Sequence, residues 1–370
     1  MGTRRHAVLA ALAALLAAAA LTTSPAAARP GDRARVDVAT YNLYLGADLN
    51  PLFGATTPTD LITRAGQVYA AMEATDFPER AEALADAIVK ERPDVLGLQE
   101  VALWETAPGS PAGPTGAFTA TYDFQELLFA ELAERGLPYR EVATNENFTG
   151  TLPISFTTWA RFTDRDVIAV RDGLPARHLS VDPSTVQEEN FSAQLTIPSG
   201  VPGIPSFEVP RGWSSVDLTA KGFTFRFFNT HLEAFGGDTV RNAQAAELVD
   251  EIEASPYPAV VVGDINSRPP CSGVNTVAFQ ILLDAGLVEV WPVAHPKDPC
   301  GGFTSGQDAD LLNEVSTLDH RIDTIFYDPD ALTVLKTEVI GDEQRDRSEP
   351  TNLWPSDHAG SVATLRTVRP

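Results

Sequence analysis

Residues 260–266 constrain the fold more than any other stretch of the chain. Val260, Val261 and Val262 are β-branched and apolar, a run suited to a short buried strand. Gly263 and the Arg268, Pro269, Pro270 sequence that follows stop it. Where the strand ends, Asp264 and Asn266 stand two residues apart, so an extended chain projects both to one side. Alone, such an ending is an Asx turn. Its meaning depends on how often the same ending recurs.

It recurs throughout the chain. Residues 36–42 alternate as a strand and end on Asn42, and residues 94–98 form a strand followed by Gln99 and Glu100. Residues 214–218 and 223–229 read as a hairpin through Lys221 and Gly222, leading into His231. Asp323 lies inside an apolar strand over 321–327, where an unpaired carboxylate is costly. Asp357 and His358 precede a last strand at 361–365. Further strands are expected at 167–170 and 332–339. Singly, Asn42 reads as a turn former, Glu100 as a surface charge and His231 as a satisfied core histidine. Together, at the ends of so many strands, they point to one site.

Helices are expected between these strands. Residues 78–91 carry Ala81, Leu84, Ala85, Ile88 and Val89 on one face, with Pro78 in the first turn. Residues 123–135 open on a capping-box pattern, Asp123 with Glu126, and stop at Gly136. Two more helices are expected at 240–252 and 276–283. Residues 48–76 read as a loop with a helical segment, 108–116 as a surface loop, and 182–212 as a long Pro-, Gly- and Ser-rich excursion. The class is α/β, with sheets packed together and helices outside.

The chain begins with Arg4, Arg5 and His6, then an apolar run over 7–21, then small residues to Ala28. This is the layout of a secretory signal peptide, so residues 1–28 are expected to be cleaved and 29–370 to form a single exported catalytic domain. The run is too short and Ala-rich for a good membrane span, and no stable membrane anchor is expected. Lys+Arg total 27 against 50 Asp+Glu, a net charge of −23. An acidic surface argues against tight nonspecific binding to nucleic acid or anionic membrane. The two cysteines, Cys271 and Cys300, read as one disulfide in an exported chain.

The polar set has a coherent chemistry. Carboxylate and carboxamide oxygens suit a hard divalent cation such as Mg²⁺, with Mn²⁺ or Ca²⁺ as alternatives. A histidine paired with a carboxylate holds a proton where a phosphoryl oxygen needs one. An aspartate beside the cation can orient or deprotonate water. With no cysteine nucleophile and no Gly-rich nucleotide loop, the set points to metal-assisted phosphoester hydrolysis.

The segments 39–42, 98–101, 229–232, 263–266, 321–323 and 356–358 follow the order of one superfamily. The chain resembles the endonuclease/exonuclease/phosphatase superfamily, which includes pancreatic deoxyribonuclease, apurinic endonucleases, bacterial sphingomyelinases and inositol-polyphosphate phosphatases. The resemblance runs from about 36 to 367. It implies a four-layer α/β sandwich, two packed mixed β-sheets with helices on the outer faces. It implies a metal held by Glu100 with Asn42 and Asp357, and water activated by Asp264. Asn266 would contact the phosphate. His358 would bind and protonate it, oriented by Asp323, and His231 would be the second histidine.

The first Asn lacks a carboxylate two residues on, where Tyr44 stands, which lowers the case for abasic-site repair. The resemblance to the deoxyribonuclease branch implies a carboxylate partner for His231, with Asp164 and Asp166 as the candidates. The Cys271–Cys300 pair falls where secreted deoxyribonucleases carry a disulfide. Gly302, Phe303 and Thr304 resemble a substrate-side loop, while Asp308 and Asp310 read as a solvated acidic loop rather than a second metal site. The expected protein is a secreted, monomeric, metal-dependent phosphodiesterase. Its substrate would be a small phosphodiester, a phospholipid head group or a nucleic acid. An extracellular nuclease, a phospholipase C or sphingomyelinase-like enzyme, and a non-catalytic binding protein of the same fold are the alternatives.

Overall fold

Alternation along the strands builds two sheets face to face. In the strand Arg35–Asn42, Val36 and Val38 point one way, while Ala39 and Tyr41 point the other. In Phe223–His231, Phe225 and Phe227 point inward and Phe228 outward. In Ala259–Asp264, Val260 and Val262 point inward and Val261 outward. The computed structural model describes residues 33–201, 203 and 206–368. The expected signal peptide therefore lies outside the described residues.

The first sheet has nine strands. Its central path runs Leu332–Ile340, Gly360–Thr367, Arg35–Asn42, Val95–Gln99, Thr158–Arg171 and Leu103–Ser110. The second has six, in the order Val288–Glu289, Asp323–Tyr327, Ala259–Asp264, Phe223–His231, Gly212–Ala220 and Ser180–Asn190. Each sheet contains a parallel pair, Arg35–Asn42 with Val95–Gln99 and Phe223–His231 with Ala259–Asp264, among antiparallel neighbours. Both sheets are mixed. A core of Val38, Ile168, Phe227, Val262 and their neighbours fills the space between them. Helices Pro58–Ala74, Phe77–Glu91 and Phe124–Glu134 cover the outside of the first sheet. Helices Asp238–Ala254 and Val277–Asp284 cover the second. The result is the expected α/β layering. Among the described residues, no helix is long and apolar enough to cross a membrane.

Local signals account for several boundaries. Asp123 caps Phe124–Glu134 by accepting from the Gln125 and Glu126 amides, and Gly136 follows at φ 71°. Lys221 and Gly222 both have positive φ, 48° and 87°, as a tight hairpin turn between twisted strands requires.

Other expectations are corrected. Residues 182–212 are not a loop: Ser180–Asn190 is an edge strand, and Leu195–Ile197 pairs with Phe207–Val209 in a small ribbon. Pro183 falls at the register shift between Ser215 and Asp217, where a strand can spare a donor. The expected strand at 167–170 is the end of Thr158–Arg171, which pairs with Tyr139–Pro153 in a long hairpin. Residues 108–116 turn tightly between Leu103–Ser110 and Gly113–Pro114. Residues 48–76 hold two helices, Asn50–Phe53 and Pro58–Ala74.

Cys271 and Cys300 form the expected disulfide, their Cα atoms 6.0 Å apart.

Candidate active site

The period of two that fills the core with valine and phenylalanine also places the polar strand ends. Asn42 continues the inward face of Val36 and Val38, His231 that of Phe225 and Phe227, and Asp264 that of Val260 and Val262. Strand register then sets neighbours side by side. His231 pairs with Asp264, and Asp264 pairs with Asp323. Beneath them a buried polar layer crosses the gap between sheets: Thr40 donates to Gln99, and Gln99 donates to Asn229 at 2.6 Å. The sheets approach closely here because Gly97 has no side chain. A Cβ there would meet Val262 Cγ2 at 2.3 Å and Asn229 Oδ1 at 2.6 Å.

Asp264 is the centre of the cluster. Its Oδ1 accepts from the Asn266 amide at 2.9 Å, so the simple Asx-turn reading is also true. Its Oδ2 accepts from Asn42 Nδ2 at 3.1 Å and lies 3.6 Å from His231 Nε2 and 3.8 Å from His358 Nδ1. Asn42 Nδ2 also faces Glu100 Oε1 at 3.3 Å, while its Oδ1 accepts from the Tyr44 amide. Asn42 therefore ties two carboxylates together through its N–H groups. Glu100 Oε2 accepts from the Leu45 amide at 2.7 Å. Tyr44, Glu100 and Asn266 have φ of 58°, 53° and 49°, uncommon for side-chain-bearing residues. Such backbone persists where the surroundings over-determine it, and it collects at functional sites.

His358 Nδ1 is 2.8 Å from Asp323 Oδ2. Thr304 Oγ1 accepts from the Ile322 and Asp323 amides, so Thr304 braces Asp323 from behind and is not on the substrate side. Burial alone would lower the His358 pKa, but Asp323, Asp357 and Asp264 outweigh it and raise it well above the ordinary value. Burial pushes the Asp323 carboxyl up to about 7, against the opposing pull of His358. Asp357 is likewise pushed to about 7, first by burial and then, against His358, by Glu100.

His231 has a partner that sequence reasoning missed. Arg211 Nη1 lies 3.0 Å from His231 Nδ1 and 3.0 Å from Asp164 Oδ2. An arginine only donates, so Nδ1 accepts and the proton sits on Nε2, facing Asp264. Burial and then Arg211 hold the His231 pKa well below its usual value. Asp164 thus reaches His231 through Arg211, while Asp166 Oδ1 stands 4.0 Å from the ring and its other oxygen accepts from Asn147. Glu233 Oε2, buried, lies 3.9 Å from Arg211 Nε. The Pro-Gly setting of Arg211 disguised it as loop; its one sequence signal was an arginine directly before the strand Gly212–Ala220.

These side chains face a cavity of about 380 Å³ lined by Glu100, Asp164, His231, Asp264, Asn266, Asp357 and His358, with Gln307 and Ala309 at its edge. Asp308 and Asp310 stand exposed outside. Asp264, Asp323 and His358 offer ligand atoms within 4.8 Å of one another, a group that could hold a divalent metal. Two of those atoms already share a hydrogen bond, so the His358–Asp323 contact competes with a metal at that spot. Glu100 and Asp357 complete an oxygen-rich lining, and burial raises the Glu100 carboxyl, with Asp164 adding to it. Such a set is short of positive charge, and a hard cation fits it.

The profile of the Endonuclease/Exonuclease/phosphatase family matches residues 39–358, and the chain belongs to that family. Solved structures share its fold. An endonuclease/exonuclease/phosphatase family protein from Leptotrichia buccalis is 14% identical, with a TM-score of 0.52 over 89% of this chain and 98% of that one. An endonuclease/exonuclease/phosphatase from Beutenbergia cavernae is 21% identical, with a TM-score of 0.50 over 90% of this chain and 72% of that one. A mannosyl-6-phosphatase from Bacteroides thetaiotaomicron is 17% identical, with a TM-score of 0.50 over 89% of this chain and 99% of that one. A comparison with curated proteins found no match.

Proposed function

We propose that the protein is an exported phosphodiesterase that uses a divalent cation, Mg²⁺ in the first instance, to hydrolyse a phosphoester by direct attack of water on phosphorus. The observation that carries this reading is the convergence of Asp264, His231 and the Asp323–His358 pair on one cavity floor beside Glu100. A merely structural set of strand ends has no reason to share one cavity.

Glu100 and Asp357 would hold the cation, with Asn42 fixing Glu100 from behind. When bound, the cation supplies positive charge to the phosphoryl oxygens. Asp264, held by the Asn266 amide and Asn42, is positioned to orient a water and take its proton. His358, kept protonated by its carboxylate neighbours, donates to a phosphoryl oxygen through Nε2 while Nδ1 stays on Asp323. His231 stays neutral and offers its Nε2–H, completing a donor pair for charge that develops on the phosphoryl group. Asn266 donates through Nδ2 to the Leu232 carbonyl and lines the cavity beside Asp264.

The test is hydrolysis of bis-p-nitrophenyl phosphate by the purified protein with Mg²⁺. Activity should vanish with EDTA and return with added metal. A panel of plasmid DNA, RNA, phospholipids and small phosphodiesters would then place the substrate. No metal-dependent activity on any of these, from folded protein, would overturn the proposal.

A further inference from the structure

The polar residues are the smaller share of the cavity's lining. The remainder is apolar, and its walls come from three separate parts of the chain. Leu49, Leu52 and Phe53 line it from the first helix and the turn before it, Phe148 and Ile154 from the long hairpin, and Phe207 from the small ribbon. All six are only half-buried: Leu49, Leu52, Phe148 and Ile154 pack against the core outside the first sheet and leave part of their surface to the groove. Phe53 stands edge-on to Phe207 and to Phe235, with ring centroids 6.4 Å apart in both cases, and so ties the first helix to the small ribbon. Keeping this much apolar surface open next to a charged floor is unfavourable in water, so its retention implies an occupant.

Charge decides between occupants. Among the described lining residues Arg211 is the one guanidinium or ammonium group, and it is already engaged by Asp164 and His231. A nucleic acid brings a phosphate at every nucleotide, and its affinity comes from cations that neutralise them. This cavity offers polar contacts for one phosphoester and hydrocarbon contacts for the rest. Its volume, about 380 Å³, lies within the range of small-ligand pockets.

We propose that the substrate is an amphiphilic phosphoester, whose phosphate lies on the Glu100, Asp264 and His358 floor and whose hydrocarbon chain lies along the groove walled by Leu52, Phe53, Phe148 and Phe207. This rests on the phosphodiesterase reading and narrows it. The occupant is a chain drawn into the protein, one molecule at a time.

The experiment is a series of p-nitrophenyl alkyl phosphodiesters with methyl, butyl, hexyl and octyl groups, all below their micellar concentrations. Wild type, Leu52→Asp and Phe207→Asp would be compared through kcat/KM. In wild type, kcat/KM should rise by about fourfold per added methylene until the groove is filled. In each variant the octyl-to-methyl ratio should fall at least tenfold. A ratio taken within one variant is insensitive to how much of the preparation is folded. As a readout besides activity, octyl phosphate should bind wild type in calorimetry with a negative heat-capacity change. Hydrolysis of every ester at one rate would overturn the groove assignment and leave the phosphodiesterase standing. So would stronger inhibition by a single-stranded oligonucleotide than by octyl phosphate. Hydrolysis of none would overturn the phosphodiesterase reading itself, while binding of alkyl phosphates that tightens from methyl to octyl would keep the groove.

Discussion

His231 and His358 are both buried within a few ångströms of Asp264, yet their surroundings drive them to opposite charge states. His231 has a guanidinium against one nitrogen, and His358 has a carboxylate in the same place. In metal-free protein at pH 6.5, imidazole nitrogen spectra should show His358 protonated and His231 neutral with its proton on Nε2. The reverse assignment would dismantle the roles given to both. Substituting His358 by Ala should lower kcat/KM on a phosphodiester by about 10²–10⁴-fold, the usual span for a positioned acid. Arg211→Met leaves Asp164 and Glu233 buried without their cation. Urea unfolding should show a loss of about 3–5 kcal/mol, the usual cost of removing one partner of a buried pair.

At the scale of elements, the site is a consequence of strands that change character along one face. Residues of one inward-facing row are apolar deep between the sheets and polar at the end, which is why Val38 and Asn42, or Val262 and Asp264, share a side. This was legible in the sequence, since alternation and chain-stopping residues are local. The long hairpin Tyr139–Pro153 with Thr158–Arg171 was not, because Asn, Glu, Thr and Gly along it carry no strong alternation; pairing partners hold it as a strand. The same holds for Ser180–Asn190, an edge strand that needs only one neighbour. The contact between sheets is tightest at Gly97. Gly97→Ala should therefore destabilise the protein by about 1–3 kcal/mol in urea unfolding and lower the activity, because Val262 and Asn229 must both give way. An unchanged midpoint would mean that the sheets separate easily.

For the whole molecule, burying so many carboxylates links stability to pH and to cations. Unfolded, an aspartate titrates near about 3.9, whereas Asp323 in the fold is pushed to about 7. The folded metal-free protein therefore holds more protons than the unfolded chain across that window, and stability falls as pH rises. Asp357 acts in the same direction more weakly, since its side chain is 27% exposed. The raised His358 also has this sign: its contribution is complete below the unfolded value of about 6.5 and is lost as pH rises through the folded one. The lowered His231 has the opposite sign, but acts below about 6.5. Metal-free Tm should thus fall between pH 6.5 and 8, and millimolar Mg²⁺ at pH 8 should raise it again. A flat profile, indifferent to cation, would argue against a metal among these carboxylates. Separately, replacing Cys271 and Cys300 with Ser opens a link across 29 residues and should cost about 3–4 kcal/mol in chemical denaturation.

What the sequence determined by itself was the set: which strands stop at Asn42, Glu100, His231 and Asp264, which one starts just after His358, and that oxygen donors beside two histidines suit phosphoester chemistry. Those signals are local, carried by β-branched runs, stop residues and side-chain type. The tertiary structure decided who faces whom. It set Arg211 between His231 and Asp164, turned Asn42 into a bridge between carboxylates, and moved Thr304 behind Asp323. It also gathered Leu52, Phe148 and Phe207 into one groove, although nearly a hundred residues separate the first two. Contacts of that kind depend on sheet register and on loops meeting across the gap between sheets, and no short-range pattern encodes them.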